Sequence, residues 1–324
     1  MKWHWLPAAL CLGLSPLLYA SDDVSARDWL ERMSHALETL NYEGTFVAVH
    51  EGSLEAMHLV HMVDQGKQKE RLLSLNGAAR EVVRDDERVI CYWTDSRSVL
   101  VDKRGSQRTF PRVLPSEFSG LTGHYELRMG KEGRITGRLA VEVGIEPVDR
   151  YRYGYRLWLA RDNALPLKSE MIDENGKPVE QIMFTSLEVY ASTDDAKLKP
   201  STDGSGFTWI HNDKSVMADD AGTPHWRPER VPPGFEMVAH DRQRLASTGK
   251  VVEHMVFSDG LASFSVYVEA LGGTDGMDGI SRMGAVTAFG RTIGDYQITV
   301  VGEVPEATVA LVGNAIVPTG AHSP

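Results

Sequence analysis

His58 and His61 form an H-x-x-H, the spacing at which two imidazoles could hold a metal. They lie in an alternating apolar stretch that reads as a strand, where residues three apart point to opposite faces. Two ligands on opposite faces cannot share an ion, so these histidines read as solvated or core side chains. Cys91 could be a nucleophile, but Val89-Ile90-Cys91-Tyr92-Trp93 is an apolar, strand-like run, so it reads as a small buried hydrophobe. His211 and His225 stand beside Trp209 and Trp226, an arrangement that suits polar–aromatic packing better than catalysis. Gly272-Gly273-Thr274-Asp275-Gly276-Met277-Asp278-Gly279 has too few acids at alternate positions for a calcium loop and reads as a mobile hairpin tip. The acid pairs Asp22-Asp23, Asp85-Asp86 and Asp219-Asp220 fall in termini or turns, where carboxylates are solvated. No G-x-S-x-G, H-E-x-x-H, phosphate-binding glycine loop or C-x-x-C occurs. The residues therefore call for neither a catalytic centre nor a metal or cofactor.

Such a chain works by its surfaces, and its elements can be read from the period of its apolar residues. Ser25 can cap a helix over residues 26–40, with Asp28 in its first turn. Trp29, Met33, Ala36, Leu37 and Leu40 make one apolar stripe on it. The period then changes to two. Short strands are expected near 45–50, 55–63, 69–75, 80–84, 88–93 and 98–101, separated by Gly, Asn-Gly and Asp turns. An irregular Pro/Gly-rich excursion over 110–123 precedes strands near 125–129, 138–143, 153–159, 166–172 and 182–190. Composition shifts to Ser, Thr, Asp, Lys, Pro and Gly over 191–206, which reads as a linker. A second unit follows, with strands near 236–241, 251–257, 262–271, 284–291 and 296–301, and a last helix opened by Pro305. The expected architecture is α+β and mainly antiparallel, divided into residues 21–190, a linker at 191–208, and a smaller α+β domain at 209–318.

Length and charge narrow the function classes. At 324 residues, with 42% hydrophobic and 24% charged positions, the chain is an ordinary globular protein of about two domains. Its net charge of −11 is the wrong sign for phosphate neutralisation, so no nucleic-acid partner is expected. Lys2, the apolar stretch 6–19 and Ala20 have the form of a cleavable export signal cut after Ala20. That stretch is shorter than the roughly 20 residues that span a bilayer. Cys11 follows Leu10, where lipoprotein processing wants a small residue. Once residues 1–20 are removed Cys91 stands alone, so no internal disulfide holds the mature chain.

The segment around His58 is apolar on both faces: Met57, Leu59, His61 and Val63 on one, Leu54, Ala56, His58, Val60 and Met62 on the other. A sheet with one wet face would not need this. Either protein covers both sides, or one face borders a cavity for an apolar guest.

Several stretches, in order, resemble the RseB/MucB family of periplasmic sigma-factor regulators. In the first unit they are Gly44-Thr45-Phe46-Val47, Leu75-Asn76-Gly77 with Arg80-Glu81-Val82-Val83, Leu157-Trp158-Leu159, Leu165-Pro166-Leu167-Lys168-Ser169 and Glu180-Gln181. In the second they are Trp226 with Pro228, Pro232-Pro233-Gly234-Phe235, Ser258-Asp259-Gly260-Leu261 with Phe264-Ser265-Val266, and Val301-Gly302-Glu303-Val304-Pro305. The resemblance implies a half-open LolA-like β-barrel with plugging helices and a hydrophobic cavity, followed by a small partner-binding domain. It implies a negative regulator that binds the periplasmic segment of a single-span anti-sigma factor (RseA or MucA), shields it from regulated proteolysis, and is released by lipopolysaccharide or another acyl lipid. On strand parity and that implied cavity, Phe46, Leu59, Val63 and Leu73 are the expected lipid-facing residues. Trp226, Phe235 and Phe264 are expected in the partner-binding domain. The alternative is a periplasmic lipid or lipoprotein carrier of the LolA/LolB type, which would have no need of a second domain. An enzyme ranks last for want of a nucleophile–base pair.

Overall fold

A computed structural model describes residues 24–50, 52–103, 121, 123–192, 194–212, 222–244, 250–273 and 275–320. The expected export signal at residues 1–20, the acid pairs at 22–23 and 219–220, and nearly all of the 110–123 excursion lie outside the described residues.

The chain opens with helix α1 (Ala26–Thr39). Ser25 caps it, accepting from the Asp28 N–H while the Asp28 carboxylate accepts from the Ser25 N–H, the reciprocal arrangement expected from the sequence. Eleven strands follow: β1 (Asn41–His50), β2 (Ser53–Asp64), β3 (Lys67–Ser74), β4 (Arg80–Arg84), β5 (Arg88–Trp93), β6 (Ser98–Lys103), β7 (Tyr125–Ile135), β8 (Arg138–Pro147), β9 (Gly154–Ala160), β10 (Pro166–Ile172) and β11 (Pro178–Tyr190). A 3₁₀ turn, Asp195–Leu198, leads to β12 (Thr208–Asn212). These twelve strands form one sheet in the order β12-β6-β5-β4-β3-β2-β1-β11-β10-β9-β8-β7. Every pairing is antiparallel except β12 on β6, which is parallel.

The sheet curls around α1. Trp29, Leu30, Met33, Ala36 and Leu37 of the helix stripe pack with Phe46, Leu59, Val143, Ile145, Leu157 and Leu159 in one core. Gly44 is required at the centre of this face. A Cβ there would meet the Ser186 carbonyl and the Phe184 ring, where β11 bulges against β1.

The second unit has β13 (Trp226–Pro228), β14 (Glu236–Arg244), β15 (Val251–Ser258), β16 (Ser263–Ala270), β17 (Gly279–Met283), β18 (Val286–Ile293), β19 (Tyr296–Gly302), helix α2 (Glu306–Asn314) and β20 (Ile316–Pro318). Six strands make a sheet in the order β14-β15-β16-β19-β18-β17, and β13 pairs with β20 as a ribbon. Val309 and Val312 of α2 and Ile316 of β20 pack with Met255, Phe264, Val266, Ile298 and Val300 of the sheet.

Two features differ from the sequence expectation. Thr208–Asn212, read as the start of the second unit, is a strand of the first sheet. A composition shift marks where a chain becomes polar, not which sheet the next apolar run joins. The stretch read as a mobile hairpin tip is tied back at its far end: the Gln297 amide oxygen accepts from the Met277 N–H, and Asp278 accepts from the Thr292 N–H.

Candidate functional site: an apolar inner row and a buried joint

Strand register builds the first candidate site. Successive Cα partners run Leu187, Gly44, Leu59, Leu72, Val82, Cys91, Leu100 and Ile210, crossing β11, β1, β2, β3, β4, β5, β6 and β12 on the inner face. The row is apolar throughout. Burial falls along it as it leaves α1: Leu59 is 0% exposed, Leu72, Val82, Cys91 and Leu100 are half-buried, and Ile210 is 50% exposed. An acyl chain laid along Leu72 to Ile210 would remove apolar surface from water on both partners.

The neighbouring inner row is polar: Tyr42, His61, Glu70 and Arg84 are successive partners. His61 Nδ1 lies 2.9 Å from Glu70 Oε1, Arg84 pairs with the other carboxylate oxygen, and the Tyr42 ring stacks on His61 at 4.7 Å. Burial, and then the Arg84 charge, pull the His61 pKa down to about 4. Burial pushes the Tyr42 hydroxyl well above its ordinary value. The inner face thus sets a desolvated charged cluster beside an apolar track.

The outer face of β2–β4 is covered by the chain's own connector. Leu198 packs on Val60 and Met62. Glu81 pairs with Arg71 at 2.6 Å and accepts from the Ser201 and Thr202 N–H groups at 2.9 and 2.8 Å. Burial raises the Glu81 pKa, but these donors outweigh it and hold the carboxyl below its ordinary value. Residues 195–202 are therefore a docked strap, which accounts for the apolar residues on both faces of β2.

The expected lipid-facing residues do not form one set. Phe46 and Leu59 lie on the inner face and are fully buried beneath α1. Val63 lies on the same face, half-buried. Leu73 pairs with His58 and so faces the opposite side. The one-residue error arises because Leu72 and Leu73 are adjacent, and only the β2–β3 register decides between them. His58 and His61 do face opposite sides: His58 meets Glu43 at 3.1 Å on the outer face. Among the described residues no three His, Cys, Asp or Glu side chains converge as a metal site.

A second constellation joins the two units. The Arg152 side chain is 0% exposed, with Asp259 at 3.4 Å and Asp149 at 3.5 Å. It donates to the Pro233 carbonyl, and the Tyr125 and Phe235 rings lie 5.4 and 5.0 Å away. The Tyr125 hydroxyl donates to Asp259 at 2.9 Å. Thr308 of α2 donates to the Tyr151 carbonyl, and Leu261 inserts into the core of the first unit. Phe235 and Phe264, expected in the partner-binding domain, lie in the core of the second unit with rings 5.2 Å apart. Of that trio, Trp226 borders an open cavity. Arg152 has no local sequence signal, whereas its partner Asp259 lies in the Ser258-Asp259-Gly260-Leu261 stretch that resembles the family.

Half-open antiparallel sheet, inner apolar track and packed α+β partner unit together define a two-unit binding protein. The MucB/RseB N-terminal domain matches residues 25–202 and the MucB/RseB C-terminal domain matches residues 220–317, so the chain belongs to the MucB/RseB family. It is 34% identical over 317 residues to the sigma factor AlgU regulatory protein MucB of Pseudomonas aeruginosa, covering 96% of this chain and 97% of that one. It is 27% identical over 305 residues to the sigma-E factor regulatory protein RseB of Haemophilus influenzae, covering 92% and 93%. Among solved structures, the MucA/MucB complex of Pseudomonas aeruginosa matches with TM-score 0.73 and 33% identity, over 91% of this chain and 99% of that one.

Proposed function

We propose that this protein is a negative regulator of an envelope-stress sigma factor, acting in the periplasm by binding the periplasmic segment of a membrane anti-sigma factor. One observation carries the reading: both units match, nearly end to end, a MucB solved in complex with MucA. Bound, the protein shields the segment from the protease that would start regulated proteolysis. An acyl lipid such as lipopolysaccharide, taken up along the row from Leu72 to Ile210, releases it. Residues 1–20 direct its export and are cleaved off after Ala20.

The test is titration of the mature protein with the purified periplasmic segment of its cognate anti-sigma factor, with and without lipopolysaccharide. Binding that lipid weakens is the expected result. No binding in either condition would refute the regulator. Lipid binding with no peptide binding would leave the carrier reading, which the buried joint at Arg152 disfavours because a carrier has no use for a docked second unit.

A further inference from the structure

The inner face of the second sheet runs past the cover provided by the β13–β20 ribbon. A cavity of about 590 Å³ opens there between Trp226, Tyr296, Val251, Val268 and Ala270. Trp226 and Tyr296 form an aromatic corner, with ring centroids 5.2 Å apart. Arg242 and Lys250 contribute cationic side chains to the wall.

The charges here are unequally satisfied. Glu253, 5% exposed, accepts from the His225 N–H at 2.8 Å. Its carboxylate also lies 3.3 Å from both His225 Nδ1 and His240 Nε2. Arg242 is the Cα partner of Glu253 across β14–β15 but forms no ion pair with it. The Arg242 Nε is buried and, among the described residues, has no hydrogen-bond partner. A buried, unpartnered guanidinium nitrogen costs free energy that an acceptor from outside would recover.

β14, which carries Arg242, is the outer strand of its sheet, and Met237 and Val238 on it are 47% and 62% exposed. An extended chain can add to such an edge through its backbone and direct alternate side chains towards the cavity. We propose that this cavity and the β14 edge are a docking site for an extended acidic peptide. An Asp or Glu carboxylate accepts from Arg242, and a neighbouring apolar or aromatic side chain packs against Trp226 and Tyr296. The inference rests on the regulator reading and identifies its occupant as a stretch of the anti-sigma segment.

The probes are the whole periplasmic segment of the cognate anti-sigma factor and twelve-residue peptides tiled across it, measured by fluorescence anisotropy on the full mature protein. Arg242→Gln removes the donor, and Ala270→Trp fills the mouth without touching a charge. One tile containing an acid beside an apolar residue should bind, and should lose at least about tenfold with either variant. Changing that acid to its amide should cost about the same, and combining the change with Arg242→Gln should cost no more. If the whole segment binds and no tile or segment affinity responds to Arg242→Gln or Ala270→Trp, the site is wrong and the regulator reading survives. If the whole segment does not bind the unaltered protein, the regulator reading fails and this occupant fails with it.

Discussion

His61 stays neutral in the folded protein because it is enclosed by Tyr42, Glu70 and Arg84, and a second positive charge beside Arg84 in that space is unfavourable. Its folded pKa of about 4 lies below the roughly 6.5 of an unfolded histidine. Between those values the unfolded chain binds the proton and the native one does not, so stability rises with pH across that window and is lost as pH falls through it. From pH 7 to 5 the loss should be about 2 kcal/mol, since one pKa unit is worth about 1.4 kcal/mol. Urea unfolding of the native protein should follow this slope. His61→Gln, which keeps a donor for Glu70, should flatten it. An equal slope in the variant would assign the dependence to other groups. Cys91 gives a second test at this scale. Burial raises its pKa, and it sits half-buried in the middle of the apolar row. It should alkylate slowly at neutral pH, and more slowly still with lipopolysaccharide present, as read by mass spectrometry. Lipid binding that leaves the alkylation rate unchanged would place the acyl chain elsewhere.

At the level of elements, the sequence revealed strand existence and face alternation well, because period-two patterning is local. The pairing of His58 and His61 with opposite faces followed from that pattern alone. What it could not reveal depends on long-range register. Local parity does not decide which of Leu72 and Leu73 faces inward, and the cover on the apolar outer residues Val60 and Met62 is Leu198, far along the chain. The 191–206 stretch has the composition of a loose linker, yet Glu81 on β4 captures two of its backbone N–H groups. These placements change which substitutions are informative. Leu59→Asp would put a carboxylate under α1 at a position 0% exposed, so it should unfold the domain, with a loss above about 4 kcal/mol. Leu100→Asp, half-buried on β6 near the edge of the sheet, should leave the circular dichroism and melting transition close to native while weakening lipid binding. A folded Leu100→Asp protein with native lipid affinity would remove β6 from the binding track.

For the whole molecule, the question is how a lipid on one unit can affect a peptide that engages the other. A loose linker would let the units reorient freely, but the buried joint makes their arrangement a specific packed state. The Tyr125 hydroxyl donates to Asp259, and the Arg152 guanidinium lies 3.4 Å from the same carboxylate, with almost no access to water. Gly234 is held at positive φ in the turn that presents the Pro233 carbonyl to Arg152, where a Cβ would strike the His124 ring. Breaking one partner of a buried ion pair costs about 3–5 kcal/mol, chiefly because the other charge remains buried and unpaired. Removing both with Arg152→Met and Asp259→Leu takes out the buried pair together, leaves Asp149 to the solvent it already reaches, and removes the directional contacts that hold the joint. If lipid favours one packed arrangement and the anti-sigma segment another, each must weaken the other by the same factor, about 5- to 150-fold for a typical coupling of 1–3 kcal/mol. The native protein should show that reciprocity in anisotropy titrations of the peptide with and without saturating lipopolysaccharide. In the double variant both ligands should still bind while the factor falls towards one, because neither then has a rigid joint to act through. A double variant that binds both ligands with undiminished coupling would show that the signal does not cross at Arg152, and that lipid and peptide compete directly for one surface.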